Sequence, residues 1–365
     1  MSKKESSLLF TTGTKTLREA LGKLQSIGGR DSTPSAMMVE IVSDIEGTTL
    51  RRITSDARLK LSIESIVESP GSVRVNCESL HSVLSRAVGE NVEIAAKDNK
   101  LIIRCGNATT RLGVFAEAMP DQIPKGDPAL VFSAPVESLK DWLETCLPAA
   151  KRALSDKSKI TMHGVIFRSI GGELHLCSTD RAAMVACATG IKAELDSTIP
   201  TTASQLILSL IAEGCSISFH ADFSTFAAPG VEFSTALISG HAPRFDKILS
   251  MEPDNNITFD REEMIGALTA SEGTSNESKK IIIRAEAGEL FITSDSFKDS
   301  DTTIVIPCTP KHPAHFGVNC ECLKSCLEHM TGKSATLEIG DDTALFLREP
   351  GKVQAVGQMR IQGVS

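Results

Sequence analysis

Three times along the chain a short apolar run closes on two hydroxyl-bearing residues and an aspartate: Ile53-Thr54-Ser55-Asp56, Cys177-Ser178-Thr179-Asp180 and Ile292-Thr293-Ser294-Asp295. The aspartates stand 124 and then 115 residues apart, and recurrence at a near-constant period is the mark of tandem structural copies. A second marker has the same drift. Extended openings at Val75, Ile199 and Val318, spaced by 124 and then 119 residues, lead into the helix-like patterns Val83-Leu84, Ile207-Leu208 and Cys326-Leu327. The 365-residue chain is therefore expected to hold three copies of one fold, over residues 1–127, 128–251 and 252–365.

A copy of about 120 residues is long enough to build its own core. Aromatics make up 4% of the chain, with no Tyr and one Trp, Trp142, so the cores are expected to be aliphatic, from Leu, Ile, Val, Ala, Met and Cys. Lys3-Lys4-Glu5 does not fit a basic-then-apolar leader, and no run of about 20 apolar residues appears. The expectation is a cytoplasmic protein with no membrane partner, whose ten cysteines are reduced thiols used as small hydrophobes. The net charge of −8 argues against a generic nucleic-acid binder, but not against one whose cations gather on a single face.

Each copy reads as two half-units, a helix followed by strands. Leu17, Ala20, Leu21 and Leu24 recur at helical spacing before Gly28-Gly29. Alternation over Met37–Val42 and Leu59–Ile63 predicts strands, with Glu46-Gly47 as a turn between them. A helix through Leu80 and Leu84 and strands at Val92–Ala95 and Leu101–Arg104 follow, hinged by Asp98-Asn99. The second copy carries a helix through Leu139, Trp142, Leu143, Cys146 and Leu147, strands at Gly164–Ser169 and Glu173–Ser178, and a helix over Ala203–Ala212. The third carries a helix at Met264, Ile265 and Leu268, strands near Ile281–Arg284 and Glu289–Thr293, and a last helix over Cys320–Met330. The fold class is α+β, with two helices against antiparallel sheets in each copy.

With this organisation the chain resembles the bacterial DNA polymerase III β sliding clamp family. The likeness is carried by Gly28-Gly29-Arg30, by His163-Gly164-Val165-Ile166-Phe167 through Leu174 to Asp180, and by Ser239-Gly240-His241-Ala242-Pro243-Arg244-Phe245, which is similar to the family's DGRFPDY segment. Val318-Asn319 and Gln358-Met359-Arg360-Ile361 are similar to its FN and MPMRL pieces. The resemblance implies a head-to-tail ring of two chains that encircles duplex DNA without base readout, with helices lining the hole. It implies a replicative polymerase and a clamp loader as partners, and no cofactor. Helix cations Arg18, Lys23, Arg86, Lys140, Lys151, Arg152 and Lys324, with Arg30 beyond the first helix, are the expected phosphate contacts. The expected ring edges are Arg104–Val114 and Thr269–Ser278, although Gly273-Thr274 stands where the family carries two aliphatics.

The family's partner-peptide pocket maps onto Met162, Thr179, Met184, Pro243, Ile248, Val356, Met359 and Arg360. Here the sequence departs from the family. Arg181-Ala182-Ala183-Met184 replaces Gly-His-Arg-Leu, Gly357-Gln358-Met359-Arg360 replaces Met-Pro-Met-Arg, and two DNA-contacting aromatics fall on Ile160 and Thr161.

Catalytic readings are weaker. Cys320, Cys322, Cys326 and His329 on one helix would not close a tetrahedral zinc site without a second segment, and Cys326 aligns with the core positions Val83 and Ile207. Gly332-Lys333-Ser334 lacks the leading glycine of a phosphate loop. The recurrent Asp56, Asp180 and Asp295 suit turn capping better than catalysis. The chain reads as a non-enzyme: a processivity clamp or, alternatively, a clamp-fold interaction protein that does not itself load on DNA.

Overall fold

Asn76 and Asn319 each end a strand and start a helix. Both have extended backbone, and their Oδ1 atoms accept from Ser79 N at 2.8 Å and Cys322 N at 3.0 Å. Asp260 does the same for Glu262 N and Glu263 N. A side-chain oxygen at this position satisfies amides that the first helical turn leaves without partners. The strand-to-helix transition is thus written locally, and it recurs.

The computed structural model describes residues 8–27, 33–117, 119, 126–275, 277–294, 302–340 and 343–361. The first stretch runs β1 (Leu9–Gly13), α1 (Thr14–Ser26), α2 (Pro34–Met37), β2 (Met38–Asp44), β3 (Gly47–Ile53), β4 (Ala57–Ile63), β5 (Ile66–Ser69), β6 (Gly71–Asn76), α3 (Cys77–Ser85), β7 (Asn91–Lys97), β8 (Lys100–Cys105) and β9 (Ala108–Gly113). Next come β10 (Leu130–Phe132), α4 (Val136–Ala153), β11 (Gly164–Ile170), β12 (Glu173–Thr179), β13 (Ala183–Ala188), β14 (Asp196–Pro200), α5 (Thr201–Leu210), β15 (Ser216–Phe219), β16 (Phe223–Ala228), β17 (Val231–Ala236) and α6 (Asp246–Leu249). The last are β18 (Asn255–Asp260), α7 (Arg261–Glu272), β19 (Lys280–Glu286), β20 (Glu289–Ser294), β21 (Thr303–Pro310), β22 (Ala314–Asn319), α8 (Cys320–Glu328), β23 (Ser334–Ile339), β24 (Ala344–Glu349) and β25 (Lys352–Met359). Setting aside short insertions, one order recurs: strand, helix, four strands, helix, three strands.

The contacts divide the chain into two compact units, residues 1–138 with 202–237, and residues 139–201 with 238–365. In the first unit β5-β1-β7-β8-β9 form one sheet and β10-β15-β16-β17-β4-β3-β2-β6 another, with α1 packed on α3. In the second unit a 12-stranded sheet runs β14-β11-β12-β13-β25-β22-β19-β20-β21-β18-β23-β24, with α7 packed on α8. Both large sheets have a joint between stretches distant in sequence. Val231–Thr235 of β17 pairs antiparallel with Ala57–Leu61 of β4, and Lys352–Val356 of β25 pairs antiparallel with Ala183–Cys187 of β13.

The expected helices and strands are present, with shifted ends. The second helix of the middle stretch starts and stops two residues early, at Thr201–Leu210, and the last helix stops at Glu328. Ile45-Glu46 turns β2 into β3, one residue ahead of the expected Glu46-Gly47, because Gly47 already pairs with Asp44; β3 is a strand that the alternation of its neighbours did not resolve. The cores are not purely aliphatic: Phe10, Phe132, Phe167, Phe219, Phe226, Phe233, Phe245 and Phe346 are among the largest fully buried side chains. Few rings exist, but each removes a large apolar area from water, so burial claims them first. The first part of the expected edge Thr269–Ser278 is helical, since Thr269–Glu272 form the last turn of α7.

Candidate functional site

The second unit holds a pocket of about 190 Å³ lined by Thr179, Arg181, Ala182, Ala183, Met184, Pro243, Arg244, Phe245, Ile248, Met251, Thr343, Ala344, Ala355, Val356 and Gly357. Five residues expected from sequence are among them: Thr179, Met184, Pro243, Ile248 and Val356. Three are not. Met162 is buried, at 3% exposure, in a single helical turn that precedes β11. Met359 pairs with Gly317 of β22, and Arg360 is an exposed residue just after β25. The pocket floor belongs to an apolar cluster of Ile166, Cys177, Met184, Ala186, Ala242, Phe245, Ala344, Phe346 and Ala355. Burial raises the Cys177 thiol well above its ordinary pKa, so it remains a neutral packing group.

Two arginines brace the walls. Arg152, in the last turn of α4, donates through Nε to Asp180 Oδ2 at 2.5 Å. Asp180 Oδ1 accepts from Ala182 N and Ala183 N at 3.0 and 2.6 Å, which fixes the turn from β12 into β13. Burial pulls the Arg152 pKa down, but Cys322 and Asp180 outweigh it and the net shift is upward. On the other wall Arg168 donates to the Pro243 carbonyl and, at 3.2 Å, to the Ala242 carbonyl, while Asp196 holds its guanidinium at 2.8 Å. The turn itself includes Arg181 at φ +79°, a left-handed backbone that glycine adopts more readily than arginine.

The expected aspartate cap is present at Asp180, while at the first motif the threonine, not the aspartate, supplies the capping oxygen. Thr54 Oγ1 accepts from Ala57 N at 3.0 Å, and Asp180 caps as described. Asp295 lies outside the described residues.

The expected DNA-facing cations fall into two groups. Arg86 at the end of α3 and Lys151 in α4 are exposed, and Arg18, Lys23 and Lys140 are half-buried on their helices. Arg152 and Lys324 are instead committed to internal carboxylates. Lys324 Nζ lies 2.8 Å from Glu272 Oε2, and its side chain is 21% exposed. Their helical positions gave a cation on one face; the ion pair that occupies each was not visible in the spacing. Arg30 lies outside the described residues. Cys320, Cys322 and Cys326 lie in the apolar core of the second unit, and burial pushes the Cys322 and Cys326 thiols up to about 12. No cluster of metal-ligating side chains forms among the described residues.

Against known proteins, no family model matches the chain. It is similar to the β sliding clamp of Chlamydia muridarum, at 23% identity over 79% of this chain and 81% of that one. It is also similar to that of Helicobacter pylori, at 21% identity over 92% of each. Among solved structures, the DNA polymerase III β subunit of Pseudomonas aeruginosa superposes with a TM-score of 0.85 at 16% identity, over 97% of this chain and 100% of that one. The sliding clamp of Bacillus subtilis gives 0.84 at 18% identity, over 98% and 100%.

The fold is that of the bacterial β sliding clamp. At this identity the chain shares the fold of these clamps and is distant from them in sequence. Arg181, Ala182, Ala183 and Gly357 lie in segments that the resemblance placed at the pocket, whereas Arg244, Phe245, Met251, Thr343, Ala344 and Ala355 line it although the sequence did not single them out for that role. Their proximity depends on the β13–β25 joint, for which a single sequence offers no local signal.

Proposed function

We propose that the chain is a DNA sliding clamp, a non-enzymatic processivity factor that encircles duplex DNA and tethers a replicative polymerase. The observation that carries this reading is a clamp fold matched over nearly the whole chain and the whole length of its neighbours. The three copies, at residues 1–127, 128–251 and 252–365, act as its domains, and two chains close the ring. The internal joints support this. Each joins the third core strand of one copy to the last strand of the next, β4 to β17 and β13 to β25. The same rule leaves β21, third in the last copy, to meet β9, last in the first copy, of a second chain. β9 is the terminal strand of its sheet. Among the described residues, Thr303–Ile306 of β21 pair on one side only, with β20.

Exposed Arg86 and Lys151, with Arg18, Lys23, Lys140 and Arg30, serve as phosphate contacts, a role that needs no base recognition. The pocket takes an extended peptide of the polymerase or clamp loader, the mode in which apolar side chains anchor an open strand. The test is retention of the purified chain on circular duplex DNA after loading. R86A/K151A should shorten retention independently of sequence, and the difference should shrink as salt rises. I248D should leave retention intact and abolish polymerase stimulation. The commitment of Arg152 and Lys324 to internal carboxylates favours a second reading, a clamp-fold interaction protein that does not load. Absence of retention under every loading condition selects that reading.

A further inference from the structure

Resting on the reading of the pocket as a partner-peptide site, we infer that its preferred ligand carries a carboxylate beside its apolar anchor, received by Arg181 and Arg244. These are the two cations of the lining, and no acidic side chain is among the described lining residues. Arg244 is exposed. Arg181 is 66% exposed at its side chain, and its Nη1 donates to Asp156 Oδ2 at 3.2 Å. A guanidinium has five N–H donors, so that one bond leaves others for a ligand. Beneath both lies the apolar floor of Met184, Phe245, Ile248 and Val356. The site therefore offers one apolar well with positive charge at its rim.

Backbone geometry and sequence support the assignment independently. Arg181 holds φ +79°, where a glycine would sit without strain, and glycine is what the family's Gly-His-Arg-Leu segment places there. A non-glycine residue in that region costs backbone strain that the surrounding contacts must hold. At Arg244 the charge is inverted, since the family's DGRFPDY segment has aspartate at that position. Relative to those segments the arginine moves from the position of Ala183 to Arg181, and a cation stands in place of an aspartate at Arg244. Both are mounted on walls already braced, one through Arg152 and Asp180, the other through Arg168 and the Pro243 carbonyl. Recognition on braced walls loses less freedom on binding. Asp341 and Asp342 precede the lining residue Thr343 in sequence and lie outside the described residues, so the test isolates Arg244 from them.

The probes are fluorescein-labelled nine-residue peptides with Leu and Phe anchors in a Ser/Gly frame, differing only in Asp, Asn or Lys beside the anchors. Each is titrated with the full chain by anisotropy at low and high salt. The expected result is about 3- to 10-fold tighter binding of the Asp peptide than of the Asn peptide, with the gap closing as salt rises. R244E should reverse the order of the Asp and Lys peptides, and R181G should narrow the Asp preference. Melting curves of both variants establish that they are folded. Equal binding of the Asp and Asn peptides to the unaltered chain overturns the inference while the pocket reading stands. Failure of every anchored peptide to bind, or binding that I248D does not weaken, overturns the pocket reading and the inference with it.

Discussion

Asp180 accepts from Arg152 Nε and from the amides of Ala182 and Ala183, so one carboxylate ties the last turn of α4 to the turn into β13. Its side chain is 6% exposed and that of Arg152 21%. Removing one partner of such a pair strands the other away from water. R152M should therefore cost on the order of 2–3 kcal/mol in denaturant unfolding and weaken peptide binding, with R152M/D180N recovering part of the loss. Unchanged stability with reduced DNA retention would return Arg152 to the set of phosphate contacts. The Glu272–Lys324 pair gives a pH signature. Its hydrogen bond to Lys324 holds the Glu272 carboxyl below its ordinary 4.5, and the same bond holds the Lys324 ammonium above its ordinary 10.5. The Glu272 contribution is present above about pH 4.5 and is lost as pH falls through the lowered value. The Lys324 contribution is complete below about pH 10.5 and is lost as pH rises through the raised one. E272Q should thus lower stability by about 0.5 kcal/mol across neutral pH, after allowance for partial exposure, and the difference should shrink as the pH falls below about 4.5. Melting curves at several pH values check this.

At the scale of elements, the helices and most hairpins were legible because their signals are local. Asn319 precedes an i, i+3, i+4 apolar pattern and caps α8 as such a residue should. N319A is expected to cost about 1 kcal/mol, measured by thermal unfolding. Asp98-Asn99 both take positive φ in the β7–β8 turn, the conformation that a two-residue hairpin demands. Gly164 was not legible in this way. A Cβ there would sit 2.2 Å from the Ile199 carbonyl oxygen and 2.8 Å from Thr198 Cγ2. The glycine lets β11 approach β14, which is not a property of its immediate neighbours. G164A should push the two strands apart and destabilise the fold by more than about 2 kcal/mol, with hydrogen exchange rising first along β14.

At the scale of the molecule, the joint rule makes a definite statement about assembly. Val305 in β21 is 47% exposed, an apolar side chain on a strand with a one-sided stretch. Exposed strand edges with apolar side chains are sites of strand addition. The mass in solution is expected near twice 39.0 kDa, and V305D should shift it toward the monomer without lowering the monomer's melting temperature. A monomer at micromolar concentration for the unaltered chain, with or without DNA, would contradict the ring.

By itself the sequence determined the repeat period, the α+β class and the capped helices, because each depends on residues close in the chain or on spacing between copies; five pocket residues came only through the resemblance to the clamp family. The tertiary structure decided the pairing of β13 with β25, and so which walls meet at the pocket. It also decided which helix cations are spent on carboxylates: Arg152 reaches Asp180 across 28 positions and Lys324 reaches Glu272 across 52. Periodicity reports which face of an element is apolar. It carries no record of the distant strand or carboxylate that the folded chain brings against that face.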